Sequence, residues 1–182
     1  MEERSWWSRI VAFLEMVIDP ACSIVFEAEP DEDDLMRRPP RSAESQVLSA
    51  RMMGWSLLQG GLALAALAAV LMGGLAREMP ESELRSLVFV SLVLINVSLI
   101  LVNRSFSGSL LVALGRRNVS LWVLVSIVAA ILAIALTWSP AMELFRFGPL
   151  HLDDLGLSLL AGGVILVVLE IAKPYWRSGV RA

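Results

Sequence analysis

The feature that most constrains this chain is its long runs without any charge. Residues 52–76 carry none, and neither do 86–103 or 118–142. About 18 or more uncharged, mostly apolar residues are enough to cross a bilayer core of roughly 30 Å as a helix. A fourth block, 155–169, continues through Glu170, Ile171 and Ala172 to Lys173. A fifth, 10–26, is interrupted by Glu15, Asp19 and Pro20. Composition agrees: 57% of the 182 residues are hydrophobic, above the roughly 45–50% of soluble domains. A secretory leader would be followed by a soluble protein, whereas here more apolar blocks follow. The expected fold is all-α: one polytopic membrane domain over residues 1–182, with about five spans. These fall near 10–27, 54–76, 86–103, 118–138 and 155–173, with a long polar connection at 28–52.

Lys and Arg in the short connections predict orientation. Arg37, Arg38, Arg41 and Arg51 follow the first span, Arg104, Arg116 and Arg117 the third, and Lys173, Arg177 and Arg181 the last. These ten share one side, against Arg4, Arg9, Arg77, Arg85 and Arg146 on the other. The C-terminus is therefore expected in the cytoplasm and the start of the first span outside. Trp6, Trp7, Trp55, Trp138, Tyr175 and Trp176 stand at span ends, where an aromatic belt belongs. Glycines and alanines crowd the second span, and Gly162 with Gly163 the last, as close helix contacts in lipid require. Of the Asn-x-Ser triplets, Asn96 lies within a span and Asn103 and Asn118 on the cytoplasmic side, so none is expected to be glycosylated. Cys22 is the sole cysteine and reads as a small apolar filler.

The chemistry concentrates in the first span. Glu15 and Asp19 are four residues apart and share a helix face. Pro20 has no N–H, so the carbonyl of Met16 loses its helical partner, and the backbone at Asp19 is pushed from α geometry. Two carboxylates and a freed carbonyl are oxygen ligands for a metal cation or a proton, the arrangement transporters build near the bilayer midplane. Asp19 is about ten residues from Arg9 and from Glu27, too deep to reach water, and an ionisable group at that depth is functional by default. The competing reading is a tilted interfacial helix whose acids snorkel or stay protonated. Asn96 is a weaker candidate, for interhelical hydrogen bonding or ligation. Glu170 reads as paired with Lys173 or an arginine, and His151, beside Asp153 and Asp154, as solvated surface. The acidic run from Glu27 to Asp34 lacks the spaced ligands and central glycine of an EF-hand and reads as a linker. After it, Arg37-Arg38-Pro39-Pro40-Arg41 forms a stiff basic surface suited to an acidic partner.

These residues resemble a family. The run from Leu14 to Pro30, and then Asp34-Leu35-Met36-Arg37-Arg38-Pro39-Pro40-Arg41, is similar to the sixth membrane helix and following cytoplasmic loop of bacterial P-type cation-transporting ATPases of the calcium-pump type. Leu169-Glu170-Ile171-Ala172-Lys173 resembles the end of the tenth helix, so the likeness spans the last five of ten helices. It implies that Glu15, Ile18 and Asp19 take the positions of an Asn, a Thr and an Asp that ligate the ion. Ile18 offers no ligand atom, which weakens the case for a two-calcium site of the usual kind. It also implies that Asn96 stands at the eighth helix's polar ligand and that residues 37–41 dock on the phosphorylation domain.

The phosphorylation motif D-K-T-G is missing, because the only lysine is Lys173 and the only threonine Thr137. The actuator and hinge motifs need a threonine before glycine and are missing too. By itself the chain is therefore not expected to be an enzyme. It is expected to work in a bacterial inner membrane beside an ATPase polypeptide carrying the first five helices, with no nucleic-acid partner. The start Met1-Glu2-Glu3-Arg4-Ser5-Trp6-Trp7 replaces the family's hydrophobic lead-in, which reads as a free-standing beginning. A non-transporting scaffold or regulator, and a small cation or proton channel lined by Glu15 and Asp19, are the alternatives.

Overall fold

The computed structural model describes residues 50–104 and 119–177, together with Ala12, Glu15 and Ser23, which are helical. Among the described residues every regular element is an α-helix. They are α1 (Ala50–Ala76), α2 (Glu81–Arg104), α3 (Val119–Thr137), α4 (Ser139–Phe145) and α5 (Leu152–Arg177). At 1.5 Å per residue α1, α2 and α5 are each about 36–40 Å long. All three are long and apolar enough to cross a membrane, and α3 with α4 passes the same test as a pair bent by 83°. The chain is an all-α membrane helix bundle.

The helix ends follow from local chemistry. At the end of α1, Glu78 adopts a left-handed conformation (φ 54°). Its N–H reaches the carbonyl of Leu75 at 3.0 Å, and that of Met79 reaches Gly74 at 3.2 Å. This is the Schellman pattern, which occupies carbonyls left open by the last turn. Gly74 lets Leu84 pack close there, since a Cβ would stand 2.4 Å from Leu84 Cδ1 and that side chain would have to move. Pro80 then ends the turn, and Glu81 and Glu83 complement the dipole of α2. The same closure recurs after α4, where Arg146 is left-handed (φ 55°) and Phe147 N–H bonds the carbonyl of Met142 at 2.8 Å. Between α3 and α4, Trp138 is extended and Pro140 enters the first turn of α4, which breaks the axis. At the start of α5 the Asp154 carboxylate accepts the N–H of His151 at 3.3 Å, the return half of a capping box.

Helix α2 is the centre of the bundle, packed along α5 and flanked by α1. Its buried stripe, Leu87, Ser91, Ile95, Ser98 and Val102, recurs every three or four residues. The facing stripe on α5 is Asp154, Ser158, Gly162, Ile165, Leu169 and Lys173, buried along its whole length. Small residues bring the two backbones together: a Cβ on Gly162 would sit 3.2 Å from the Leu94 carbonyl oxygen. The expected contact role of the other glycines does not hold throughout. Gly60, Gly61, Gly73 and Gly163 meet no atom within 4 Å, because a helix spreads its residues around the whole axis and only one face is in contact. Leu57, Leu64 and Met72 on α1 and Val164, Val167 and Ile171 on α5 point outward, where lipid tails are as apolar as a protein core.

The core divides by depth. Towards the 77–80 turn, Phe89 and Val90 of α2 meet Ala135, Phe145 and Phe147, with Phe89 and Phe147 ring centroids 4.9 Å apart. Towards the opposite end, Trp55 joins Ile95, Val102, Ile165 and Leu169. Trp55 is thus not an interfacial anchor. It is 4% exposed and lies 5.6 Å from the ring of Trp176, whereas Trp138 and Tyr175 are exposed, as belt residues should be.

Candidate functional site

The residues of the predicted ion site are positioned unequally. Glu15 is helical and exposed. Asp19, Met16 and Pro20, and the basic segment at residues 37–41, lie outside the described residues. Among the described residues no three His, Cys, Asp or Glu side chains converge. What can be built from the residues upward is the wall that α1, α2 and α5 contribute.

Asn96 sits on α2 one position beyond the seam residue Ile95, and is half-buried. Its side-chain amide donates to the Leu92 carbonyl of its own helix at 2.9 Å. Among the described residues it makes no interhelical hydrogen bond and no contact with Glu15. Polar bonds between helices are made by other residues. Ser91 of α2 donates to the Ser158 hydroxyl of α5 at 2.9 Å, and Ser158 in turn donates to the Asp154 carbonyl at 3.0 Å. Both hydroxyls are fully buried, and the relay satisfies each of them inside an apolar seam.

About two turns further along α2, Asn103 exchanges two hydrogen bonds with Gln59 of α1. Gln59 Nε2 donates at 2.8 Å and Asn103 Nδ2 returns at 3.3 Å. A reciprocal amide pair leaves little unsatisfied and fixes the register of α1 on α2. Next to it, Lys173 of α5 is 3% exposed and donates to the Val102 carbonyl at 3.0 Å and to Glu170 Oε2 at 3.3 Å. Val102 lies in the last described turn of α2, and its carbonyl accepts from the buried ammonium. Arg51 and Trp176 close this end: Trp176 Nε1 donates to the Arg51 carbonyl at 3.0 Å, and the guanidinium stands 5.8 Å over the ring. The pairing of Glu170 with Lys173 matches the expectation from spacing. Gln59 and Asn103 were not expected as partners, although Gln59 is the one amide inside the uncharged block 52–76.

At the opposite end Asp154, with a side chain 5% exposed, is 3.7 Å from Arg77 and 3.7 Å from His151 Nδ1. His151 is 70% exposed, as a surface residue should be, yet its backbone is held by that carboxylate. Both ends of the α2–α5 pair are therefore closed by charged or polar links, and the middle is apolar but for the serine relay, Ser98, whose hydroxyl donates to the Leu94 carbonyl, and Asn96. The arrangement makes a rigid wall with one amide at mid-depth.

The family model described as cation transporting ATPase, C-terminus, matches residues 11–175, all but the two ends of the chain. No curated protein matches. The match takes in Glu15, the segment at 37–41, Asn96 and the α2–α5 seam together. The chain belongs to the family formed by the membrane-embedded C-terminal region of cation-transporting ATPases.

Proposed function

We propose that this chain lines the ion pathway of a P-type cation pump, with Glu15 and Asp19 as carboxylate ligands of the transported ion. The Met16 carbonyl, freed by Pro20, supplies a third oxygen, and Asn96 offers an amide from α2. The observation that carries this reading is the family match over residues 11–175, which spans the carboxylate pair and the Arg37-Arg38-Pro39-Pro40-Arg41 segment alike. The cargo is a divalent metal cation, which favours oxygen ligands, or a proton, which a carboxyl in low dielectric can hold. Phosphorylation motifs are not among these 182 residues. The driving step lies outside these residues, in a region with the first five helices and the phosphorylated domain on which the basic segment docks, and an ATPase polypeptide would supply it in the split arrangement. The working location is a bacterial inner membrane with the C-terminus in the cytoplasm.

The test is ATP-driven cation uptake by vesicles in which the chain is reconstituted with that ATPase polypeptide. Glu15→Gln with Asp19→Asn is expected to lower uptake by about tenfold or more, since even loss of a residue that only supports a metal ligand costs about 10–100-fold. Unchanged uptake overturns the assignment. Cation-dependent conductance of the chain alone would identify a channel instead.

A further inference from the structure

The break between α3 and α4 creates a cleft that the ion pathway does not use. Helix α4 leaves α3 at 83°, at the level where α1 ends, α2 begins and α5 starts. Exposed Trp138 stands at the corner and exposed Leu144 along α4. An apolar short helix turned across the bundle at the level of the span ends, with a tryptophan at its start, lies in the headgroup layer. Beneath it is an open cleft of about 500 Å³, lined by Ser82, Ser139, Met142, Glu143, Arg146 and Phe147.

Three observations bear on what the cleft takes. Glu143 and Arg146 are both exposed, and neither makes an ion pair among the described residues. Arg146 also holds a left-handed backbone (φ 55°) at the helix C-terminus, where glycine is the default. Keeping a long cationic side chain at a strained position points to a use for the side chain. Finally, the two hydroxyls and Met142 and Phe147 add a polar and an apolar wall to the same space.

We infer that this cleft binds the headgroup of a membrane phosphatidylethanolamine, with the phosphate on Arg146 and the ammonium on Glu143. One guanidinium and one carboxylate complement a zwitterion. An anionic glycerol headgroup would meet the Glu143 carboxylate with no compensating cation of its own. A choline headgroup brings no N–H to donate, whereas a primary ammonium brings three. A phosphate on a guanidinium is a bidentate, charge-assisted contact. The acyl chains run down beside Leu144 and Trp138 into the bilayer.

The test is native mass spectrometry of the delipidated full chain in an equimolar mixture of phosphatidylethanolamine, phosphatidylglycerol and phosphatidylcholine with identical acyl chains. The wild-type chain is expected to retain the ethanolamine lipid about tenfold over the other two, the effect of one charge-assisted contact. Arg146→Gly suits the left-handed backbone, so the fold is kept, as a circular dichroism melt will confirm, and the preference should fall to within about twofold. Glu143→Gln should erase discrimination between ethanolamine and choline headgroups while leaving the phosphate contact. Equal retention of the three lipids by the wild-type chain, or an Arg146→Gly chain with its preference intact, overturns the inference. Free phosphoethanolamine in excess should leave the lipid adduct in place. Full displacement would assign the cleft to a soluble phosphoester and overturn the lipid.

Discussion

At the residue scale the most consequential side chain is Lys173. A lysine at the end of an apolar block is ordinarily a snorkelling group whose charge helps set orientation. Here it is buried, and its ammonium bonds the Val102 carbonyl of α2 and the carboxylate of Glu170. Replacing it by methionine removes both the bond to the Val102 carbonyl and the partner of the Glu170 carboxylate. Lys173→Met is expected to cost about 2–4 kcal/mol, read as a lowered midpoint of thermal unfolding in detergent. A midpoint within a degree of wild type would mean the bond contributes nothing. Spacing made the Glu170–Lys173 pair legible in the sequence. The burial of Lys173 was not, because it depends on which residue of another helix lies opposite. Gln59 and Asn103 were illegible for the same reason, 44 residues apart and on different helices.

At the scale of elements, apolar blocks showed that helices form, and the three- and four-residue recurrence along α2 and α5 is present in the sequence too. Which small residues serve as contacts was not legible. Gly162 and Gly163 are adjacent and chemically identical, yet only the first faces α2, with the Leu94 carbonyl 3.2 Å from a would-be Cβ. Gly162→Leu should push α5 from α2 and cost about 1–3 kcal/mol. Gly163→Ala meets nothing within 4 Å and should be neutral or gain up to about 1 kcal/mol of helix propensity. Thermal unfolding of the two variants side by side separates them. Equal effects would mean that the seam is not as close as drawn. The break at Trp138 is a comparable case. The uncharged block 118–142 reads as one straight span, and the structure breaks it by 83° where Trp138 is extended and Pro140 begins α4, with Phe145 and Phe147 packed on Phe89.

At the scale of the whole molecule, α2 is the centre of the bundle, with α1 antiparallel and α5 parallel to it, and lipid takes the place of a protein shell on the outer faces. Connections on one side carry twice as many basic residues as those on the other, which predicts the side on which the chain ends. A fluorescent protein fused after Ala182 should fluoresce in bacterial cells, and alkaline phosphatase fused at the same place should stay inactive. The opposite pattern would reverse the orientation and place the basic segment at 37–41 away from any cytoplasmic domain. The carboxylate pair and that segment are local patterns of charge inside or beside an apolar block, and of these residues only Glu15 is among those described.

The sequence by itself determined that this chain is a membrane helix bundle, which family it belongs to, and where ionisable groups enter an apolar span. Those properties are local: span length, charge depth and short motifs act over stretches of about 20 residues, the reach of one helix across a bilayer. Tertiary structure alone decided that α2 is the axis of the bundle, that Lys173 is buried against the Val102 carbonyl and that Gln59 pairs with Asn103. It also decided that Arg146 overlooks a cleft beneath α4. Each of these depends on how helices rotate and settle against one another, and that is settled by the fit of side chains between elements rather than by any one element's composition.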